Sequence, residues 1–116
     1  MVGEALRQVM LRASGVGSLA GADVAVGRAS HPVCGDEVEL SVRVVDAQLL
    51  DVRWRAAGCP ATLAVAALAA ESLVGVPVAS APARLRRALQ DHGGLAAHER
   101  HAEGLLLRAL AAAVGG

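Results

Sequence analysis

The clearest feature of the chain is a strict alternation of apolar and polar positions in two neighbouring segments. Residues 37–45 read EVELSVRVV and residues 49–56 read LLDVRWRA, with the short link DAQ between them. A period of two predicts a strand with one buried and one solvated face, and two such strands joined by a short link predict an antiparallel hairpin. The face predicted to be buried consists of Val38, Leu40, Val42, Val44, Leu50, Val52 and Trp54.

After this hairpin the pattern becomes helical. Residues 60–75 are apolar nearly all round and begin with Pro60, which suits a first helical turn, so they predict a buried helix that ends at Gly75. A helix capped by Ser80 is predicted to follow it. That helix is predicted to span residues 80–92, and two more helices are predicted at residues 4–14 and 99–114. One more strand is predicted at residues 22–29.

This order of elements predicts an α+β fold. We expect a small antiparallel sheet of about three strands that carries its helices packed on one face. The chain contains no internal repeat and no linker-like segment, so residues 1–116 are expected to form a single domain.

Composition narrows the possible functions. The 116 residues are 54% hydrophobic and contain one Trp but no Phe or Tyr, so a core of Val, Leu and Ala is expected. Eleven basic residues balance eleven acidic ones, which argues against a nucleic-acid surface. No apolar run reaches the roughly 20 residues of a membrane span, and no signal-peptide pattern is present. We therefore expect a cytoplasmic protein whose two cysteines stay reduced.

Four side chains stand out as candidates for metal chemistry because they lie near the ends of predicted elements, where a rigid scaffold usually presents ligands. They are Cys34, Asp36, Cys59 and His101. Two thiols, an imidazole and a carboxylate suit zinc or iron. Spacing alone leaves another interpretation open, because lone cysteines in an apolar chain are often inert core residues. On that interpretation Asp36 belongs to a turn and His101 to a solvated helix start. His31 and His98 lie close enough in sequence to support the site.

The order of these motifs resembles a known family. Residues 31–75, HPVCGDEVELSVRVVDAQLLDVRWRAAGCPATLAVAALAAESLVG, are similar to the core of the iron–sulfur cluster scaffold proteins of the IscU, SufU and NifU N-terminal type. That family has Cys-Gly-Asp before a strand, then a hairpin, then Gly-Cys before an Ala/Ser-rich helix. Residues 95–102, LAAHERHA, resemble the family's Leu-Pro-Pro-Val-Lys-x-His-Cys stretch.

The resemblance implies a metal site and its ligands. Cys34 and Cys59 match two of the family's cluster cysteines, Asp36 matches the aspartate that keeps the site labile, and His101 matches its histidine. The third cluster cysteine is missing, because Ala102 stands in its place. The resemblance therefore implies a scaffold or carrier, not an enzyme, that binds iron, a transient [2Fe–2S] cluster or zinc more weakly than its relatives.

The resemblance also implies partners. A cysteine desulfurase is expected to deliver sulfur to Cys34 or Cys59, and recipient apo-proteins are expected to receive the cluster; neither nucleic acid nor membrane is expected as a partner. Ala96, Ala97 and Glu99 replace the family's two prolines and lysine, so the usual contact with an Hsp70-type chaperone is not implied. Two alternatives remain open: a zinc-binding sulfur acceptor that partners a desulfurase, and a degenerate paralogue that only binds a partner.

Overall fold

The structure is a computed structural model that describes residues 2–33 and 35–115. Three strands and four α-helices are present in this part of the chain, together with two 3₁₀ turns at Val78–Ser80 and Ala97–Glu99. The helices and strands in chain order are α1 Glu4–Arg12, β1 Val24–Ser30, β2 Glu37–Val45, β3 Gln48–Ala57, α2 Pro60–Ser72, α3 Ala81–Asp91 and α4 Arg100–Val114.

The three strands form one antiparallel sheet in the order β1-β2-β3, which confirms the predicted fold class. A two-residue loop joins β2 to β3, since Val45 pairs with Gln48. Both loop residues, Asp46 and Ala47, have positive φ angles of 51° and 61°. Two consecutive residues of positive φ match the right-handed twist of paired strands in a tight hairpin.

The helices cover one face of the sheet. Helix α2 packs against β3, and α4 packs against β1 and β2. Helix α2 is buried along most of its length, as its apolar sequence predicts. Helix α4 crosses β1 at Gly27, where an added Cβ would lie 2.1 Å from the carbonyl oxygen of Ala109. Only glycine allows this approach, which brings the C-terminal half of α4 close against the sheet.

The alternation predicted for β3 fails at its first residues. Leu49 is fully buried, whereas Leu50, which was predicted to face the core, is 47% exposed. The cause is a bulge: the register shifts between Arg43 and Val44, so that Val44 pairs with Leu49. A bulge places one extra residue on one strand and reverses the face of every position beyond it. The other predicted core positions of the hairpin are buried, and Val44 is half-buried.

Trp54 is buried as predicted, with 4% of its surface exposed. Its indole Nε1–H donates a hydrogen bond of 2.7 Å to the carbonyl oxygen of Ser14. The backbone N–H of Trp54 donates to Gly15, and its carbonyl accepts from Gly17. The segment after α1 therefore runs along the free edge of β3, a pairing that the glycine-rich sequence did not predict.

The structure differs from prediction at Ser80 and at Gly75. Ser80 directly precedes α3, but its side chain makes no capping hydrogen bond, because the residue has helical dihedral angles and belongs to the preceding 3₁₀ turn. Helix α2 ends at Ser72, three residues before Gly75. No helix in residues 2–33 and 35–115 has the length and apolar character needed to cross a membrane.

The bulge predicts opposite outcomes for two adjacent leucines. We expect Leu49→Ala to lower the free energy of unfolding by about 2–5 kcal/mol, because it leaves a cavity in the core. Leu50→Ala, the matched control, is expected to change it by less than about 0.5 kcal/mol. Urea denaturation of both variants measures the difference. A larger loss for Leu50→Ala would show that the strand lies in the unbulged register.

Candidate metal centre

The site is built around the carboxylate of Asp36, which lies just before β2 and is 4% exposed. Its Oδ2 atom accepts a hydrogen bond of 2.7 Å from the Thr62 hydroxyl and a longer one of 3.4 Å from the backbone N–H of Cys59. The Nε2 atom of His101 lies 3.2 Å from the same oxygen. A buried carboxylate needs such partners, because an unpaired charge in the interior is costly.

Cys59 is the residue immediately before α2, and its thiol is partly exposed. The chain reaches it through Gly58, which has φ +150°. A Cβ at Gly58 would lie 2.4 Å from Cγ of Asp36, so any other residue would push the carboxylate away. The next residue, Pro60, starts the helix and has no N–H that the first turn would leave without a partner. The sequence Gly-Cys-Pro thus brings the thiol beside the carboxylate.

His101 enters the site from the first turn of α4. Its Nε2 atom lies 3.4 Å from Sγ of Cys59 as well as 3.2 Å from Asp36. One ligand atom from each of these three residues lies within 4.8 Å of the other two. The His101 ring also meets the ring of His31 edge to face, with 5.3 Å between ring centres. Three chain segments that are distant in sequence therefore converge on one point.

Hydrogen bonding determines the charge of Asp36. Burial by itself would raise the pKa of this carboxyl, but hydrogen bonds from Thr62, Cys59 and His101 outweigh burial and lower the pKa below its ordinary value. Asp36 is therefore ionised at neutral pH. A fixed negative charge beside a thiol and an imidazole favours a bound cation.

The structure brings three of the predicted site residues together. Asp36, Cys59 and His101 are brought together, whereas Cys34 lies outside the described residues. Ala102 is fully buried and belongs to the hydrophobic core, so this position offers no ligand atom.

Thr62 is the site residue that sequence reasoning missed. It is fully buried, donates to Asp36, and its Oγ1 atom lies 3.6 Å from Sγ of Cys59. One signal could have found it: a hydroxyl in the first turn of a helix that is otherwise apolar nearly all round. A buried hydroxyl is expected to have a hydrogen-bond partner, but the sequence does not identify that partner.

The donor chemistry fits zinc or iron. Thiolate and imidazole are common ligands of both metals, and carboxylate oxygen is a harder, less selective ligand. The three converging residues supply one donor of each kind. A tetrahedral site needs four, so a further ligand has to come from elsewhere in the chain, a partner or solvent.

Comparison with known proteins gives the relatives of the chain. The model of the NifU-like N-terminal domain family matches residues 7–116. Two iron–sulfur cluster assembly scaffold proteins of Archaeoglobus fulgidus, IscU 1 and IscU 2, are each 32% identical over 100 residues, covering 85% of this chain and 65% of the relative. A bifunctional NifU/MnmA protein of Rubrobacter xylanophilus is 36% identical over 88 residues, covering 73% of this chain and 18% of that protein. The chain thus spans less than two thirds of the length of these relatives.

Solved structures share the fold. The N-terminal part of a nitrogen-fixing NifU-like protein from Brucella abortus matches with a TM-score of 0.74 at 19% identity, over 97% of this chain and 91% of that one. FiSufU from Fervidobacterium islandicum matches with a TM-score of 0.66 at 17% identity, over 96% and 87% of the two chains. At these identities the likeness describes the architecture alone.

The contacts of Thr62 predict a pH-dependent effect of its removal. Thr62→Val keeps the shape but takes a donor from a buried carboxylate, so we expect it to lower the free energy of unfolding of the metal-free protein by about 1–3 kcal/mol at pH 7. Because the hydrogen bonds lower the pKa of Asp36, their stabilisation is complete above the pKa of the unfolded chain and disappears as the pH falls through the folded pKa. The deficit of Thr62→Val should therefore shrink in acid.

Urea denaturation at pH 7 and at about pH 3 measures this effect. Thr62→Ser is the matched control, because it keeps the hydroxyl, and it should restore the pH dependence of the parent. A Thr62→Val protein that is as stable as the parent at neutral pH would contradict the role of the hydroxyl.

Proposed function

The chain belongs to the NifU-like N-terminal domain family, and on that premise we propose that it is a scaffold or carrier on which an iron–sulfur cluster is assembled and from which the cluster is passed on. The observation that carries this proposal is the convergence of Asp36, Cys59 and His101 within 4.8 Å of one another. The names of the relatives, which are cluster assembly scaffolds, support the same role. The cluster is the cargo of such a protein, which holds it and then releases it.

We propose that Cys34, Asp36, Cys59 and His101 are the ligands. Thiolates bind iron strongly, and imidazole can replace a thiolate on iron. Asp36 is the weakest member of the set, because a metal competes with Thr62 for the carboxylate oxygen that both contact. A ligand that has to give up a hydrogen bond when the metal binds holds the metal less tightly than one that gives up nothing. The same site thus favours binding and release.

Ala102 sets the strength of the site. It stands where the resemblance implies a third cysteine, so two thiolates hold the cargo in place of three. We infer that this site is more labile than that of three-cysteine relatives. Without a third thiol, sulfur from a cysteine desulfurase has to be accepted by Cys34 or Cys59. In that step the acceptor thiolate attacks the terminal sulfur of the desulfurase persulfide, the S–S bond breaks, and the desulfurase thiolate leaves.

The wider role follows from the same premise. We propose that residues 1–116 act as one domain in the cytoplasm, that the domain is not an enzyme, and that it delivers its cargo to apo-proteins.

The usual chaperone motif is altered. Glu99, which replaces its lysine, is buried and accepts a hydrogen bond of 3.0 Å from the backbone N–H of Ala96. A buried carboxylate cannot present the charge of an exposed lysine, so we propose that the usual Hsp70-type contact is not made there.

Anaerobic reconstitution tests the function. The protein is incubated with ferrous iron and sulfide, desalted, and its visible absorption is recorded. We expect cluster absorption for the parent, its loss in Cys59→Ala, and its retention in His92→Ala, a control whose ring bonds to its own helix at Ala88. Tight zinc binding without cluster absorption would contradict the scaffold and favour the zinc-binding sulfur acceptor. Binding of neither would favour the degenerate paralogue.

Restoring the third thiol predicts a gain. Ala102→Cys should bind zinc more tightly and hold a reconstituted cluster longer, because a thiolate already positioned by α4 loses little entropy when it binds. A zinc competition titration and the decay of cluster absorption measure both effects. Ala102 is fully buried, so urea denaturation must first show that the variant is folded. A folded Ala102→Cys that binds no tighter than the parent would contradict the placement of the metal.

A further inference from the structure

The structure places a second histidine beside the site, and we propose that His31 becomes a ligand of the bound metal. It would supply the donor that Ala102 cannot, and it would take the place of Asp36 in the ligand set given above. The inference rests on the proposed function only in requiring that metal binds at Asp36, Cys59 and His101. It concerns a side chain that neither the family motif nor the alternation of the strands singled out as a ligand.

The spacing of the two imidazoles carries the inference. The ring centres of His31 and His101 are 5.3 Å apart, with 63° between the ring planes. In a tetrahedral zinc site with Zn–N distances of about 2.0–2.1 Å, each ring centre lies about 3.2 Å from the ion, and two such centres are then about 5 Å apart. The two rings are therefore already separated as two imidazoles on one ion would be.

The backbone fixes His31 relative to the site. Its N–H donates a hydrogen bond of 2.8 Å to the carbonyl oxygen of Asp36, and its carbonyl accepts one of 2.8 Å from the N–H of Gly35. The segment that carries Asp36 therefore holds the Cα of His31 in place. The residue is partly exposed. Among the described residues, Asp36, Cys59 and His101 form the cluster of ligand atoms, and binding by His31 requires its ring to turn toward them.

Other histidines are placed differently. His92 ends α3, and its Nδ1 atom lies 2.7 Å from the carbonyl oxygen of Ala88 in its own helix. His98 is exposed in the 3₁₀ turn that precedes α4. Among the described residues, His31 and His101 are the two whose rings are in contact.

A second imidazole changes the chemistry of the site. With two thiolates and two imidazoles the donor set is that of a closed zinc site. On a [2Fe–2S] cluster, two histidines in place of two cysteines raise the reduction potential. Asp36 is then free to keep its hydrogen bond with Thr62 while the cargo is bound. The absence of a third cysteine is, on this view, compensated within the same chain.

The test combines zinc affinity with the NMR signals of the rings. His31→Phe keeps an aromatic ring against His101 but removes the nitrogen donors, and we expect it to weaken zinc binding at least about tenfold. His92→Ala is the control and should bind zinc like the parent. In the parent labelled with ¹⁵N-histidine, zinc should shift the ring nitrogens of His31 and His101, and those of His92 should not move. Urea denaturation of the metal-free variants shows whether each is folded.

Two results would overturn the inference. One is a His31→Phe protein that binds zinc like the parent while Cys59→Ala binds more weakly, because the site would then be correct and His31 only a packing residue. The other is a parent whose His31 ring nitrogens do not move at zinc saturation. A parent that binds neither zinc nor iron would overturn this inference together with the proposed function.

Discussion

The site depends on the burial of one negative charge. Asp36 is almost inaccessible to solvent, and a carboxylate in that position is tolerated only when donors surround it. Those donors come from the first turns of α2 and α4 and the residue before α2, namely Thr62, His101 and Cys59. The hydrogen bonds to this carboxylate therefore hold the first turns of α2 and α4 against the start of β2. The N-terminal end of α2 adds a favourable dipole for the same charge.

This arrangement would let one site bind and release a metal, which is the role that we propose for it. Before metal binds, the carboxylate, the imidazole and the thiol are held together by contacts with one another. A metal ion would replace some of these contacts with metal–ligand bonds. Its affinity would then reflect only the difference in free energy between the bonds formed and the contacts broken. The Thr62 hydroxyl remains available to Asp36 whenever the metal leaves. Because the ligands are already held together, little entropy is lost in ordering them when a metal binds. Because they also hydrogen-bond to one another, the metal has to displace those contacts, which limits its affinity.

Much of the fold could be predicted from local patterns. The alternation of residues 37–45 matches β2, and the apolar run after Pro60 matches most of α2, because both patterns express burial directly. Leu50 was assigned to the wrong face because a bulge depends on how two strands pair, which neither strand reveals alone. The capping role assigned to Ser80 failed for a similar reason, since the preceding turn already gives it helical geometry.

The site could be predicted only through the resemblance. Spacing placed Asp36, Cys59 and His101 at the ends of elements but could not bring together residues that are 23 to 65 positions apart. Thr62 was assigned no role and His31 only a supporting one, because their importance lies in long-range contacts. Neither residue breaks a local rule that would have marked it strongly. Physical chemistry explains each contact once the fold is known, but the alternation of apolar and polar residues does not encode it.

X-ray absorption at the zinc edge of the zinc-loaded protein tests the central claim most directly, because it counts the donor atoms around the ion. The account predicts two sulfurs at about 2.3 Å and two nitrogen or oxygen donors at about 2.0–2.1 Å. That result corresponds to Cys34 and Cys59 with His101 and one further imidazole or carboxylate. Fewer than two sulfurs, or a shell made of sulfur alone, would contradict it.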